Sequence, residues 1–233
     1  MARLGITWLG HATFHFRTPG GKRVLVDPFL EDNPRCPAAW KKPSPLDAIL
    51  ITHGHRDHAA DAAGLAKSTG APVVSTPEIC GWLRRKGVRD VRGMNKGGAQ
   101  VVAGVTIAMV DARHTSSIEE DGESIALGEA AGFVLTFEDG LVLYFAGDTS
   151  LFGDMRLIGE WYKPHIACVP IGDHYTMGPE QAAKACEWLG VKQAIPMHYG
   201  TFPVLTGTVE AFRKSLGPSG IEVLALEPGK TTE

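Results

Sequence analysis

The chain is poor in cysteine, and the four it has (Cys36, Cys80, Cys168 and Cys186) stand far apart with no C-x-x-C pair among them. That spacing excludes a disulfide framework and reads as buried or idle thiols in a reducing compartment. No apolar run approaches the length of a membrane span. Met1-Ala2-Arg3-Leu4-Gly5 leads into an alternating strand without the apolar core of a signal peptide, so a cytoplasmic protein with no membrane partner is expected. Neither sign of charge dominates: 23 Lys and Arg against 26 Asp and Glu leave a net charge of −3, which gives no electrostatic reason to expect nucleic acid. Linker-like and low-complexity stretches are absent too. The 233 residues are therefore read as one domain, 1–233, long enough to bury a sizeable core.

What is present is a strand-rich first third followed by strands alternating with helices. Residues 4–9, 12–17 and 22–26 have strand character, with Thr7, Leu9, His11, Thr13 and His15 on one parity and Trp8, Phe14 and Phe16 on the other. Residues 31–45, with Pro34, Pro37, Pro43 and Pro45, predict an irregular loop beside a cleft. Strand 48–51, helix 59–68, strand 72–75 and helix 77–86 follow. The last starts at Pro77 and stops at Gly87. Its tail opens a basic cluster (Arg84, Arg85, Lys86, Arg89, Arg92, Lys96) that reads as a solvated helix end rather than a nucleic-acid patch, since no aromatics interleave it. Strands are expected at 99–102, 105–110, 132–137, 141–146, 166–170, 193–196 and 221–226. Helices are expected at about 151–162, 179–190 and 207–216. The acidic segment 115–131 reads as a lid loop. Strand runs followed by alternation argue for α/β sheets with helices on their outer faces.

The chemistry is concentrated in Thr52-His53-Gly54-His55-Arg56-Asp57-His58, an H-x-H-x-D-H run directly after an apolar strand. Imidazole nitrogen and carboxylate oxygen are the donors that zinc and its neighbours take. His53 and His55 alternate off the strand end, and Asp57 and His58 lie where the chain turns into the next element, so one run can serve two adjacent ions. Asp27, His114, Asp148, His174 and His198 also fall just after strands. Strand ends on one rim of a packed sheet converge in space and hold ligands rigidly. His15 and His165 lack such context and read as structural.

Asp27, the His53/His55/Asp57/His58 run, His114, Asp148 and His198, in this order, resemble the metallo-β-lactamase superfamily over nearly the whole length. Gly10-His11-Ala12 and the run from Gly172 to Pro179 are closer to its small-hydrolase branch of the ascorbate-6-phosphate lactonase type. The resemblance implies a four-layer αββα sandwich of two similar halves with a two-metal site at one edge. It implies His53, His55 and His114 on the first ion, Asp57, His58 and His198 on the second, Asp148 between them, and Asp27 orienting a ligand imidazole from outside the set. Imidazoles and carboxylates without thiolate favour zinc, with manganese, cobalt or iron(II) as alternatives. Two such ions hold a bridging hydroxide at neutral pH. Asp57 would then orient the hydroxide and take its proton, and His11 and His174 are the candidates for protonating the leaving group and gripping a substrate anion.

With 35 residues after His198, the C-terminal domain of glyoxalase II-like thioesterases is not expected, nor is the inserted domain of the nucleic-acid-cleaving branch. The first reading is therefore a metal-dependent hydrolase of a small anionic ester or lactone. Phosphodiester or nucleic-acid cleavage comes next, and a non-catalytic metal- or ligand-binding protein is the third. Self-association is left open.

Overall fold

The structure, a computed structural model, describes residues 2–43 and 45–233. The first half of the chain supplies strands β1 (Gly5–Trp8), β2 (Phe14–Arg17), β3 (Arg23–Val26), β4 (Ala48–Leu50), β5 (Val73–Ser75) and β6 (Val91–Gly93), with helices α1 (Arg56–Ala59), α2 (Ala62–Thr69) and α3 (Pro77–Arg85). The second half supplies β7 (Ala99–Val102), β8 (Val105–Asp111), the hairpin β9 (Ser117–Glu120) and β10 (Glu123–Ala126), then β11 (Ala131–Thr136) and β12 (Val142–Phe145). After them come α4 (Met155–Tyr162), β13 (Ile166–Pro170), α5 (Pro179–Leu189), β14 (Gln193–Met197), α6 (Val209–Leu216), β15 (Glu222–Val223) and β16 (Thr231–Thr232). Two seven-stranded sheets result, ordered β16-β1-β2-β3-β4-β5-β6 and β15-β14-β13-β12-β11-β8-β7. Each half begins with antiparallel neighbours and continues with parallel ones. The mixed α/β architecture is the expected αββα sandwich of two similar halves.

Strand alternation sorts the core. Trp8, Phe14, Phe16, Val24, Val26 and Leu50 point between the sheets and meet Ile107, Met109, Phe133, Leu135, Leu143 and Phe145. Phe14 meets Phe145 edge-on with centroids 5.6 Å apart. The opposite parity of the first sheet (Leu9, Leu25, Ile49, Val73) packs beneath Leu65, Ile79, Trp82 and Leu83 of α2 and α3. β4 is buried on both faces, as central parallel strands are, which is why it reads as a continuous apolar run.

Three expectations are corrected. Segment 115–131 is a two-stranded hairpin, not a free lid: Asp121 (φ 51°) and Gly122 (φ 82°) form its turn. Its acidic residues hide this Asp-Gly turn signal in the sequence, and they dock the hairpin, with Glu120 accepting from Trp82 Nε1 at 2.9 Å and pairing Lys86 Nζ at 2.7 Å. The helix expected at 59–68 is two pieces, and α1 already contains Asp57 and His58. The basic cluster runs into β6, an edge strand too short for a periodic signal. Lys86, Arg92 and Lys96 there are neutralised by Glu120, Asp90, Asp111 and Glu129. At the chain's end, strand structure covers only 222–223 of the expected 221–226. β16 closes the first sheet instead by pairing with β1. Among the described residues of 31–45 the regular structure is a 3₁₀ turn at Ala38–Trp40.

His15 is a structural histidine, as expected. It is buried, with its ring 4.9 Å from Trp40. Burial, then Arg23 and Arg17, push its pKa down to about 4. A histidine kept neutral in the folded state contributes its full share of stability above pH 6.5, and that share is lost as pH falls toward 4. The loss amounts to about 3 kcal/mol. His15→Gln should therefore flatten the acid limb of stability between pH 6.5 and 4 relative to the parent, as measured by urea unfolding at stepped pH. Parallel curves for the two proteins would contradict this.

Candidate metal centre

The rim of the two sheets gathers the residues singled out from the sequence. β4 delivers Thr52 and His53, α1 presents Asp57 and His58, and the turns after β8, β12 and β14 bring in His114, Asp148 and His198. Three of the positions here, His11 (φ 55°), Asp27 (φ 48°) and His198 (φ 56°), are left-handed despite carrying side chains. Such backbone costs about 1–2 kcal/mol per residue and persists only where the surroundings enforce it. Part of that enforcement is close approach by glycine. A Cβ on Gly172 would lie 2.1 Å from the His198 carbonyl oxygen, and one on Gly147 (φ 62°) would lie 2.9 Å from Thr52 Cβ.

Three overlapping groups of donors form among the described residues, one of them Asp27, His53 and His58. One atom each from His53, His55 and His114 lies within 4.8 Å of the others, and the same holds for His11, Asp57, His58 and His198. Asp148 stands between the groups. Its Oδ2 is 3.0 Å from His198 Nε2, 3.7 Å from His114 Nε2 and 4.0 Å from His53 Nε2, and its Oδ1 is 3.4 Å from His58 Nε2. Four atoms here are buried without a well-aligned hydrogen bond, the 3.0 and 3.4 Å approaches to Asp148 being poorly directed: His58 Nε2, Asp148 Oδ1, and both ring nitrogens of His198. Elsewhere among the described residues only Thr76 Oγ1 and Tyr144 OH share that condition. An unsatisfied buried polar atom costs about 1–3 kcal/mol, and a divalent ion shared by these lone pairs would remove the cost. The donor set fits such an ion.

Proton accounting around Asp27 supports the same fit. Its carboxylate accepts from Thr52 N at 2.8 Å, Thr52 Oγ1 at 2.7 Å and His58 Nδ1 at 2.8 Å. The Thr52 hydroxyl spends its one proton on Asp27, so it accepts from His53 Nδ1 at 3.0 Å. Both imidazoles thereby place their Nδ1 proton on an acceptor and turn Nε2 toward the cluster. His53 Nε2 lies 3.1 Å from His55 Nδ1, close to the edge of about 3.3 Å that ligands at zinc–nitrogen distance span on a tetrahedral ion.

The charges are strongly coupled. Burial disfavours the imidazolium of His58, but Asp148 and Asp27 on either side outweigh it and hold its pKa well above the ordinary value. Burial pushes Asp148 upward, and His198 and His58 overcome it and hold the carboxyl far below the usual range. Burial, followed by the neighbouring His58, pushes His53 well down. Binding an ion at His58 Nε2 must displace a proton, so metal affinity falls as pH is lowered.

His11 is fully buried. Its Nε2 donates to Asp57 Oδ2 at 2.9 Å, and its Nδ1 meets Thr201 Oγ1 at 3.0 Å. Burial, then His198, lower its pKa to about 4. Thr201 escaped the sequence reading, and only its place three residues after His198 could have flagged it. His174 lies apart: it is exposed (φ 56°), its ring edge-on to Tyr175, in the turn after β13. His165 is also separate, its Nδ1 accepting from Val142 N at 3.1 Å.

The sequence and fold match known proteins. Residues 22–199 fit the family model of the β-lactamase superfamily domain, and the chain belongs to the metallo-β-lactamase superfamily. Within it, the chain belongs to the family of UPF0173 metal-dependent hydrolases. It is 50% identical over 228 residues to the member from Rubrobacter xylanophilus, covering 97% of this chain and 94% of that one. It is 48% identical over 228 residues to the one from Koribacter versatilis, covering 98% and 97%. Among solved structures, the metallo hydrolase Igni18 of Ignicoccus hospitalis superposes with a TM-score of 0.86 at 36% identity, over 98% of this chain and 97% of that chain.

Asp27→Asn keeps the side-chain volume but turns an acceptor toward a donor. It should weaken metal binding about 10–100-fold in a chelator competition assay with the fold intact by circular dichroism. An unchanged affinity would contradict the role assigned to Asp27.

Proposed function

We propose that the chain, acting as one domain over residues 1–233, is a metal-dependent hydrolase with a two-ion site. The observation that carries this is the cluster of buried donor atoms without a well-aligned hydrogen bond on His58, Asp148 and His198, flanked by the imidazoles of His53, His55 and His114. In this reading His53, His55 and His114 take one ion, Asp57, His58 and His198 the other, and Asp148 serves both. The donor types favour zinc, with manganese or iron(II) as alternatives. Bound divalent ions supply a water nucleophile at neutral pH and polarise the substrate oxygen.

The chain's own residues do the rest. Asp57 is the carboxylate of the set with the most access, its side chain 32% exposed. Burial pushes its carboxyl up, but the His11 hydrogen bond and His58 outweigh it and keep it ionised, well below the usual range. Held ionised, it would accept a hydrogen bond from the attacking water and orient it. His11 positions Asp57, braced in turn by Thr201. His174, although it lies apart from the cluster in an exposed turn, remains the candidate for protonating the leaving oxygen. In this reading the substrate is a small anionic ester or lactone, the class that the motifs Gly10-His11-Ala12 and Gly172–Pro179 led the sequence to suggest. The four cysteines are all free and buried, which supports a reducing, cytoplasmic setting. Phosphodiester cleavage is the weaker reading, because much of the basic cluster that would favour it is already paired with acids.

The test is hydrolysis of a lactone, a thioester, bis-p-nitrophenyl phosphate and single-stranded RNA by metal-loaded protein and by His55→Ala. Turnover of the lactone that falls at least about 100-fold in the variant is expected, since the variant removes a ligand on which charge stabilisation depends. Preference for RNA would favour the phosphodiester reading, and no turnover of any substrate by loaded protein would contradict hydrolase function.

A further inference from the structure

Arg35 stands in the segment joining β3 to β4, outside the donor cluster but against its rim. Its main chain backs onto Gly10, the neighbour of His11: a Cβ on Gly10 (φ 95°) would lie 2.5 Å from Arg35 Cβ. Its guanidinium lies 6.0 Å from the centroid of the Trp8 ring, and Trp8 is itself buried and stacked on Tyr199 with centroids 5.3 Å apart. On the other side, Arg35 Nη1 comes within 3.9 Å of where a Cβ would stand on Gly200. Gly200 is two residues beyond His198, so their Cα atoms are at most about 7.6 Å apart. The next residue, Thr201, holds His11.

The guanidinium is exposed, and among the described residues no carboxylate lies within 4 Å of it. Among the described residues Arg17, Arg56, Arg92 and Arg113 pair with an acid and the other arginines do not; what sets Arg35 apart is its place against Gly10, Trp8 and Gly200. Burial raises the Tyr199 phenol pKa, and the Arg35 charge opposes that rise. The backbone presenting Arg35 is fixed. Lys41 Nζ donates to the carbonyls of Leu30, Glu31 and Asn33, Asn33 Nδ2 donates to Gly10 O at 3.2 Å, and Asn33 Oδ1 accepts from Arg35 N at 2.9 Å. An exposed cation without an acid partner, on a braced backbone beside a catalytic rim, has the properties of a recognition group. The planar fork of arginine suits a carboxylate or phosphate.

We propose that Arg35 anchors an oxyanion carried by the substrate at the end remote from the bond that is cleaved. This rests on the hydrolase reading above and narrows it: the substrate is a small molecule with a terminal carboxylate or phosphate. Phe202, edge-on to His11 at 5.4 Å, offers apolar surface for the body between the two ends.

The first measurement compares metal-loaded wild type, Arg35→Gln and Arg35→Lys on mono-p-nitrophenyl succinate, which carries a carboxylate, and on neutral p-nitrophenyl butyrate. The preference for the anionic ester, as a ratio of kcat/KM values, should fall about 10–100-fold in Arg35→Gln, the range expected for one charge-assisted hydrogen bond. The fall should be carried by KM, with partial recovery in Arg35→Lys. An unchanged ratio overturns the proposal.

The second measurement needs no turnover: calorimetric titration of the same loaded proteins with inorganic phosphate and, in parallel, with succinate. Binding at least about tenfold weaker in Arg35→Gln than in wild type is expected, and the better of the two ligands identifies the oxyanion. Equal affinities in wild type and variant, or no binding of either ligand to wild type, overturn the anchor. Arg35-dependent binding without ester turnover would retain the anchor and remove the hydrolase reading, so the two failures are distinguishable.

Discussion

Asp148 is a single buried carboxylate set between imidazoles contributed by both sheets, and the arrangement of the centre depends on it. His53 and His58 reach it from the end of the first sheet, His114 and His198 from the end of the second. Without a metal ion this packing buries a carboxylate, a charged imidazole and unpartnered ring nitrogens together, at a cost that well-packed apolar residues would avoid. Divalent cations would turn the same atoms into ligands, and burial would then strengthen each interaction. Stability and function would thus compete at the rim, and a bound metal would reconcile them.

The rest of the fold can be understood as what holds that rim still. Asp27 fixes the tautomers of two imidazoles through three hydrogen bonds, and it does so from a left-handed backbone. Gly172 lets the chain after β13 lie directly against the His198 carbonyl, and Gly147 lets the turn before Asp148 pass Thr52. Behind them the inter-sheet core of Phe14, Phe145 and their neighbours is too closely packed to let the two sheet ends drift. Local strain at the ligand positions is thus held by the packing of the layers beneath.

Much of this was legible in the sequence, for physical reasons. Buried parallel strands such as β4 must read as unbroken apolar runs, and donors placed just after them must collect on one rim, so Asp27, His53, His58, Asp148 and His198 could be found together before the fold was known. Pro77 and Pro179 at helix starts and Gly190 (φ 67°) at a helix end marked α3 and α5 as expected. Other features were not legible because they depend on contacts distant in sequence. β16 is two residues long and is a strand only through its pairing with β1. The 115–131 hairpin takes its order from Trp82 and Lys86 on another element. Thr201 and Arg35 are unremarkable in the sequence, and only folding places one under His11 and the other beside Gly200.

The account stands or falls on whether this rim holds metal. Metal content by mass spectrometry should be measured on protein purified without chelator and then offered zinc or manganese, for wild type and Asp148→Ala. About two ions per wild-type chain, as in two-metal hydrolytic sites, and one or fewer in the variant is the predicted result. A wild-type chain that stays metal-free when metal is supplied, or a variant that binds as much as wild type, would contradict it.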